Sequence, residues 1–254
     1  MSSQDRFSYE WVKFQELTPE YETQFLKWVT PLTRKDFKSK SVLDAGCGAG
    51  RNSYWPLVYG AKEVVAFDFD KKTIAVAKRN LSRFKNVKIE YKSIYDISYR
   101  NKFDISLAIG VIHHLQNPKQ AVKKLVTATK KGGRVLLWVY GYEGNEWIPK
   151  WINPIRKSFT SKLPLSAVYL LSLLISLLFF SYLKLIPQKR PYLKQLSTFK
   201  FWHIHSIVFD QLIPRVANYW TKEQALDLFD KLPLKNVRIT HVNSMSWALI
   251  GTKK

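Results

Sequence analysis

Between Ser41 and Tyr140 the chain alternates short apolar runs, rich in Val and Ile, with stretches of helical period. That alternation is the pattern of repeated βαβ units and a parallel sheet. The runs predict strands at 41–45 (SVLDA), 63–67 (EVVAF), 87–91 (VKIEY), 104–109 (DISLAI) and 133–139 (GRVLLWV). KKTIAVAKRNLSRF at 71–84 and PKQAVKKLVTATK at 118–130 read as helices, the second opening on Pro118 and closing at Gly132–Gly133. Past VYGYEGNEWIPKW the alternation stops. It resumes in TKEQALDLFDK at 221–231, where Thr221 and Gln224 form a T-x-x-Q capping box. Two last runs, 236–242 (NVRITHV) and 244–251 (SMSWALIG), have only Asn243 between them and read as an antiparallel hairpin. The expected fold class is α/β: a doubly wound, mostly parallel seven-stranded sheet with an antiparallel last strand, plus a largely helical insertion. Residues 1–40 then form an N-terminal helical extension, 41–140 and 221–254 the core, and 141–220 the insertion.

The insertion contains LPLSAVYLLSLLISLLFFSYL, Leu163 to Leu183, which is 21 residues without a charge. That is long enough for the roughly 30 Å hydrocarbon core of a bilayer. Arg156, Lys157 and Lys162 precede it; Lys184, Lys189, Arg190 and Lys194 follow. A single crossing would leave five strands on one side of the membrane and two strands of the same sheet on the other. Residues 184–220 are too interrupted by charge to cross back. The expectation is therefore a monotopic helix, about 163–186, lying in the cytoplasmic leaflet, with its basic flanks on anionic headgroups. Trp147, Trp151, Tyr182 and Tyr192 would sit near the interface, and Tyr169, Ser172 and Ser176 would share a helical face turned to the protein. Burial against the core, or against a second subunit, is the competing reading.

Composition narrows the partners. Lys and Arg number 41 against 19 Asp and Glu, a formal net charge of +22, which favours nucleic acid or anionic lipid. The excess is spread along the chain, with 18 basic against 7 acidic residues in 41–140 and ten against three in 141–215. One cysteine excludes an intramolecular disulfide framework, and the start MSSQDRFSYE lacks the charged-then-apolar order of a signal peptide. A cytoplasmic protein, peripheral or monotopic at the inner face of the cell membrane, is expected.

VLDAGCGAGRNSYW carries the chemistry. It places Asp44, Gly46, Gly48 and Gly50 in a D-x-G-x-G-x-G order at a strand-to-helix junction, with Cys47 and Arg51 beside the glycines. Glycines there let the backbone approach a ligand, and the helix start behind them favours an anionic group. The loop is not the G-x-G-x-x-G of dinucleotide sites. It resembles the first motif of the class I S-adenosylmethionine-dependent methyltransferases. VVAFDFD, FDISLAIGVIHHLQNP and KKGGRVLLWVYG agree with the later motifs of that family, and FSYEWVKFQ and VFDQLIPRVANYW look like a bacterial subgroup of it. The resemblance covers 41–140 and 221–254 and implies S-adenosylmethionine as cofactor. It also implies that Asp68, followed by Phe69, takes the ribose hydroxyls and that Gly110 lies near the donor's amino group. The family often has an acidic residue after the third strand; here Ser93 stands at that place, so adenine would meet Ser93 and the Ile94 backbone, with Asp96 one turn later.

Candidates for handling the acceptor are His113 and His114 after the fourth strand, and His203, His205 and Asp210 in FWHIHSIVFDQL. Of these, His113, His114, His205 and Asp210 are the candidate catalytic groups. If that last segment is extended, His203 and His205 share a face, but no third and fourth ligand stands at a familiar spacing and no metal is expected. Tyr9, Trp11 and Tyr219, with His203, are candidates for lining the acceptor pocket. The leading functional expectation is methyl transfer to a lipid, quinone-like or lipid-linked acceptor at the membrane face. An RNA methyltransferase is the alternative, supported by the +22 charge, but no RNA-binding module is recognisable, so nucleic acid is expected not to be the partner. A non-catalytic membrane-bound scaffold of the same fold is a third reading, and the sequence is compatible with a monomer or an oligomer.

Overall fold

The computed structural model describes Tyr9, Lys13, Leu17 and residues 19–254, apart from Ser161, Arg215 and the side chains of Lys157 and Pro191. Helices α1 (Glu20–Trp28) and α2 (Arg34–Phe37) lead into β1 (Ser41–Ala45). Then come α3 (Arg51–Val58), β2 (Glu63–Asp68), α4 (Lys71–Asn80), β3 (Val87–Tyr91), β4 (Phe103–Ile109), α5 (Pro118–Ala128) and β5 (Thr129–Tyr140). The next chain segment winds through two wide π turns, Ile148–Ile152 and Arg156–Thr160, on either side of an α-helical turn, Asn153–Ile155, into α6 (Leu165–Leu185), α7 (Pro191–Leu196) and α8 (Phe201–Leu212). α9 (Lys222–Leu226) and the hairpin β6 (Leu234–Val242) and β7 (Ser246–Lys253) end the fold.

All seven strands join one sheet in the order β3-β2-β1-β4-β5-β7-β6. β1 pairs in parallel with β2 and β4, and β7 runs antiparallel between β5 and β6. Strand order reverses between β1 and β4, so the crevice for a ligand opens at their carboxyl ends. Both faces of the sheet are covered, as the near-continuous apolar strands require. Leu43, Phe67 and Val135 pack with α5 on one face, and Val42, Val64 and Leu107 pack with α1, α3 and α4 on the other.

The helix expected over 71–84 ends at Asn80, and three further boundaries differ from the sequence expectation. Gly132 and Gly133 do not close α5. The helix ends at Ala128 because Thr129 is pinned to β4, its hydroxyl 2.7 Å from Ser106 Oγ and donating to Leu125 O at 2.8 Å. The glycines instead lie within β5, where the β4–β5 register shifts; a Cβ on Gly133 would meet Thr129 Cγ2 at 2.7 Å and Asp104 O at 3.0 Å. The hairpin turn uses Asn243 and Ser244, both at positive φ (53° and 58°), with Met245 N donating to Val242 O at 3.1 Å. Two such residues match the twist of the flanking strands. Finally, α9 keeps its Thr221–Gln224 capping box but lasts five residues before tightening into a 3₁₀ turn at Asp227–Phe229.

Candidate active site

The glycine loop takes its shape from β1 and β2 together. Gly46 N and Cys47 N both donate to Phe67 O at 2.9 Å, and Gly46, Gly48 and Gly50 all have positive φ. A side chain at Gly46 would overlap Val111 Cγ2, and a Cβ at Gly50 would lie 2.9 Å from Leu81 Cδ1. Asp68, last in β2, accepts from Gly48 N at 3.0 Å and from Asp70 N at 3.1 Å. One carboxylate thus holds the loop and still faces the crevice. Burial raises its pKa against these donors.

A single cavity of about 1510 Å³ runs from this loop to the insertion. Gly46, Cys47, Arg51, Asp68, Phe69, Ser93, Ile94 and Gly110, all expected at the cofactor, line its glycine-loop end. Gly110 leaves open space there, since nothing lies within 4 Å of where its Cβ would be. Three predicted cofactor residues stand behind the wall. Gly48 and Gly50 bend the loop, and Asp44, 1% exposed, accepts from Ser53 Oγ at 2.6 Å and is pushed up to about 6 by burial. Cys47 is buried in the loop and its thiol is pushed up by burial, which makes it a packed residue. Ser93 lines the wall and its hydroxyl accepts from Tyr95 N at 3.2 Å, whereas Asp96 is exposed and outside the cavity.

The other end of the cavity is built by β5 and α8. Tyr140, last in β5, donates to Asp210 Oδ2 at 2.9 Å and stacks on Tyr219 with ring centroids 5.3 Å apart. His114 Nδ1 lies 2.7 Å from Val216 O; a carbonyl only accepts, so Nδ1 carries the proton and Nε2 is the accepting nitrogen of the neutral ring. Burial lowers the pKa of His114, against the Asp210 charge that raises it. His203 also lines the cavity, stacked on Phe199 at 3.9 Å and facing Tyr21 at 4.3 Å, while Arg51 sits 3.7 Å over the Tyr21 ring. Burial, then the Arg51 charge, pushes His203 down to about 3.

Other candidates lie elsewhere. His113 is wholly buried behind the wall, stacked on Tyr140 at 3.8 Å, with no hydrogen-bond partner on either ring nitrogen among the described residues. It is therefore a packing residue that supports Tyr140. His203 and His205 do not share a face, because the segment is helical and residues two apart point about 200° away from each other. His205 turns to α6, its Nε2 2.9 Å from Ser172 Oγ. Tyr9 packs on Tyr169 and Phe209 away from the cavity, and Trp11 lies outside the described residues. Arg156 is 2% exposed and donates to Gln211 O at 3.2 Å, so it braces α8 and is no headgroup-facing flank. Tyr192 lines the cavity. Among the described residues, no group of three or more His, Cys, Asp or Glu is placed to hold a metal ion. Tyr140 is a site residue that sequence reasoning does not single out; its place at the carboxyl end of a parallel strand is the signal that could have found it.

The sequence pattern of a family described as a methyltransferase domain matches residues 43–137. The chain carries a class I S-adenosylmethionine-dependent methyltransferase domain. It is 34% identical over 120 residues to a tRNA U34 carboxymethyltransferase of Helicobacter acinonychis, covering 44% of this chain and 45% of that one. A protein of the same description from Nautilia profundicola is 29% identical over 135 residues, covering 52% and 44%. The match thus spans less than half the length of these curated relatives. Among solved structures, the methyltransferase domain and its surroundings resemble a putative S-adenosylmethionine-dependent methyltransferase from Listeria monocytogenes, at TM-score 0.53 and 16% identity over 92% of this chain and 98% of that one. Human N-acetylserotonin methyltransferase in complex with SAM is similar at TM-score 0.58 and 13% identity, over 99% and 56%. These likenesses are of fold.

Proposed function

We propose that this protein transfers the methyl group of S-adenosylmethionine to an apolar, lipid-like acceptor. The observation that carries the proposal is the continuous cavity, which joins the glycine loop and Asp68 to side chains of α6 and α8. Ligand pockets are commonly about 300–1,000 Å³, so 1510 Å³ accommodates a cofactor and a sizeable acceptor together. The cofactor end fits the group: Asp68 has lone pairs for two ribose hydroxyls, Gly110 leaves room for the donor's amino-acid end, and Ser93 and Ile94 border the adenine position. Bound there, the sulfonium supplies an activated methyl group. The chain's own contribution is alignment of the acceptor, exclusion of water and removal of a proton where the acceptor carries one. Asp210 and His114 border the far end and are the groups available for that proton, with His114 kept neutral by burial.

RNA is the second reading. The curated relatives are named for action on tRNA, which weighs against ruling nucleic acid out, and the +22 charge suits a polyanion. The named relatives speak for RNA; the apolar acceptor is preferred because Ile148, Ile152, Ile175, Phe179, Ile207 and Leu212 line the insertion end of the cavity. A scaffold role is disfavoured by the open cofactor end. Methyl-labelled S-adenosylmethionine offered with a lipid extract and with total tRNA separates the readings. Label in the organic phase supports the proposal; label in acid-precipitable RNA replaces it.

A further inference from the structure

The geometry points to α6 as the surface by which this protein docks on an anionic lipid leaflet, its leucine face entering the acyl region. Docking stands on the helix alone; that it brings the acceptor to the cavity rests on the function proposed above. α6 is 21 residues long with a mean hydropathy of 2.0, yet only 22% of its most apolar window is buried. Its polarity is inside out. Ser172 and Ser176 are completely buried, against α8, while Leu170, Leu174, Leu177, Leu178 and Leu185 are 60, 58, 56, 74 and 80% exposed. A helix facing water puts serines outward and leucines inward. The reverse is what apolar surroundings select, where small residues let two helices approach and large ones face the lipid.

The surroundings say which apolar phase this is. Lys150, Lys162, Lys184, Lys189 and Lys194, at or beyond the two ends of the helix in the chain, are exposed, and their charge is complementary to anionic headgroups. Trp147, Trp151 and Trp202 are exposed at 51, 62 and 58%, as amphipathic rings are at a membrane boundary. The helix does not cross. β5 precedes it and β6 follows it in one sheet, and α8, the helix packed on it, has 12 residues or about 18 Å, short of the roughly 30 Å core. Ile175 and Phe179 of α6 also line the cavity, so the docked face and the cavity are continuous.

The test is flotation of the whole protein with vesicles of phosphatidylcholine alone and with added phosphatidylglycerol. Expected is flotation with the anionic vesicles, reduced at least tenfold in the double variant L174D/L178D. S-adenosylmethionine affinity of that variant, read by calorimetry, stays within twofold of the parent and shows that it folds. A protein that remains monomeric and unbound overturns the inference. So does a dimer that the double variant splits, which would make a second copy the occupant of this face, and so does flotation that the variant leaves unchanged. Failure of methyl transfer to lipid with flotation intact would count against the proposed acceptor and leave docking standing.

Discussion

The Tyr140 hydroxyl donates to Asp210 Oδ2 at 2.9 Å, joining the last residue of β5 to α8 across 70 positions of chain. The same Tyr140 ring is held between His113 at 3.8 Å and Tyr219 at 5.3 Å. One side chain therefore fixes the insertion on the carboxyl edge of the sheet and orients the carboxylate at the α8 end of the cavity.

Tyr140→Phe keeps the stacking and removes the hydrogen bond. A bond to a charged group is worth about 1.5–3 kcal/mol, and a urea unfolding midpoint should fall accordingly. S-adenosylmethionine affinity should hold while turnover with the acceptor drops, since Tyr140 acts on Asp210 and not on the glycine loop.

Asp68→Ala removes the carboxylate proposed to take the two ribose hydroxyls, together with the Gly48 N contact. Donor affinity should weaken tenfold or more by calorimetry. Affinity equal to that of the parent would remove Asp68 from the ribose site.

Gly46→Ala and Gly110→Ala should part company. Both glycines have positive φ, 76° and 78°, so each alanine carries about 1–2 kcal/mol of backbone strain. At Gly46 the new methyl also overlaps Val111, which adds about 1–3 kcal/mol of overpacking. At Gly110 nothing lies within 4 Å, so the methyl projects into free space on the cavity wall. Thermal unfolding should show the larger loss for Gly46→Ala, and donor affinity should fall in Gly110→Ala out of proportion to its stability.

Acid should destabilise the ligand-free protein. Unfolded His203 takes up a proton near its ordinary value of 6.5, whereas in the fold burial and then Arg51 hold it at about 3. Between those values the unfolded state binds more protons. The contribution is full above pH 6.5 and declines on acidification by up to about 1.4 kcal/mol per pH unit. His113 and His114, also lowered by burial, act in the same sense. Asp44 opposes them: raised from 3.8 to about 6, chiefly by burial, it keeps in the fold a proton that the unfolded chain has lost, so its contribution declines as pH rises through that window. Asp68, also raised by burial, acts with Asp44, and His205, lowered by burial, acts with the other histidines. Four histidines against two carboxylates leave a net loss between pH 6.5 and 4, and His203→Gln should flatten it. Denaturant midpoints at pH 7 and pH 5 provide the comparison.

Features set by neighbours in the chain are legible in the sequence itself. Strand alternation, the glycine run after SVLDA, Asp68 at the end of VVAFDF and the Thr221–Gln224 cap each depend on a few adjacent residues, because backbone dihedrals, side-chain period and capping are local physics. Packing between distant segments decided the rest. FWHIHSIVFDQL shows no period that separates helix from strand, and its contact with α6 is what makes it helical and sends His203 to the cavity and His205 to Ser172. α6 is apolar all round, so its sequence defines a helix and the spacing of its serines, but burial of those serines against α8 decides which leucines are left outside. Arg156 reads as a surface charge from its neighbours, and in the fold it is a buried brace that donates to the carbonyl of Gln211, 55 residues away. The acceptor end of the cavity belongs to this second kind. Tyr140, Asp210 and Tyr219 come from separate segments, and only the closed sheet with its insertion brings their side chains together.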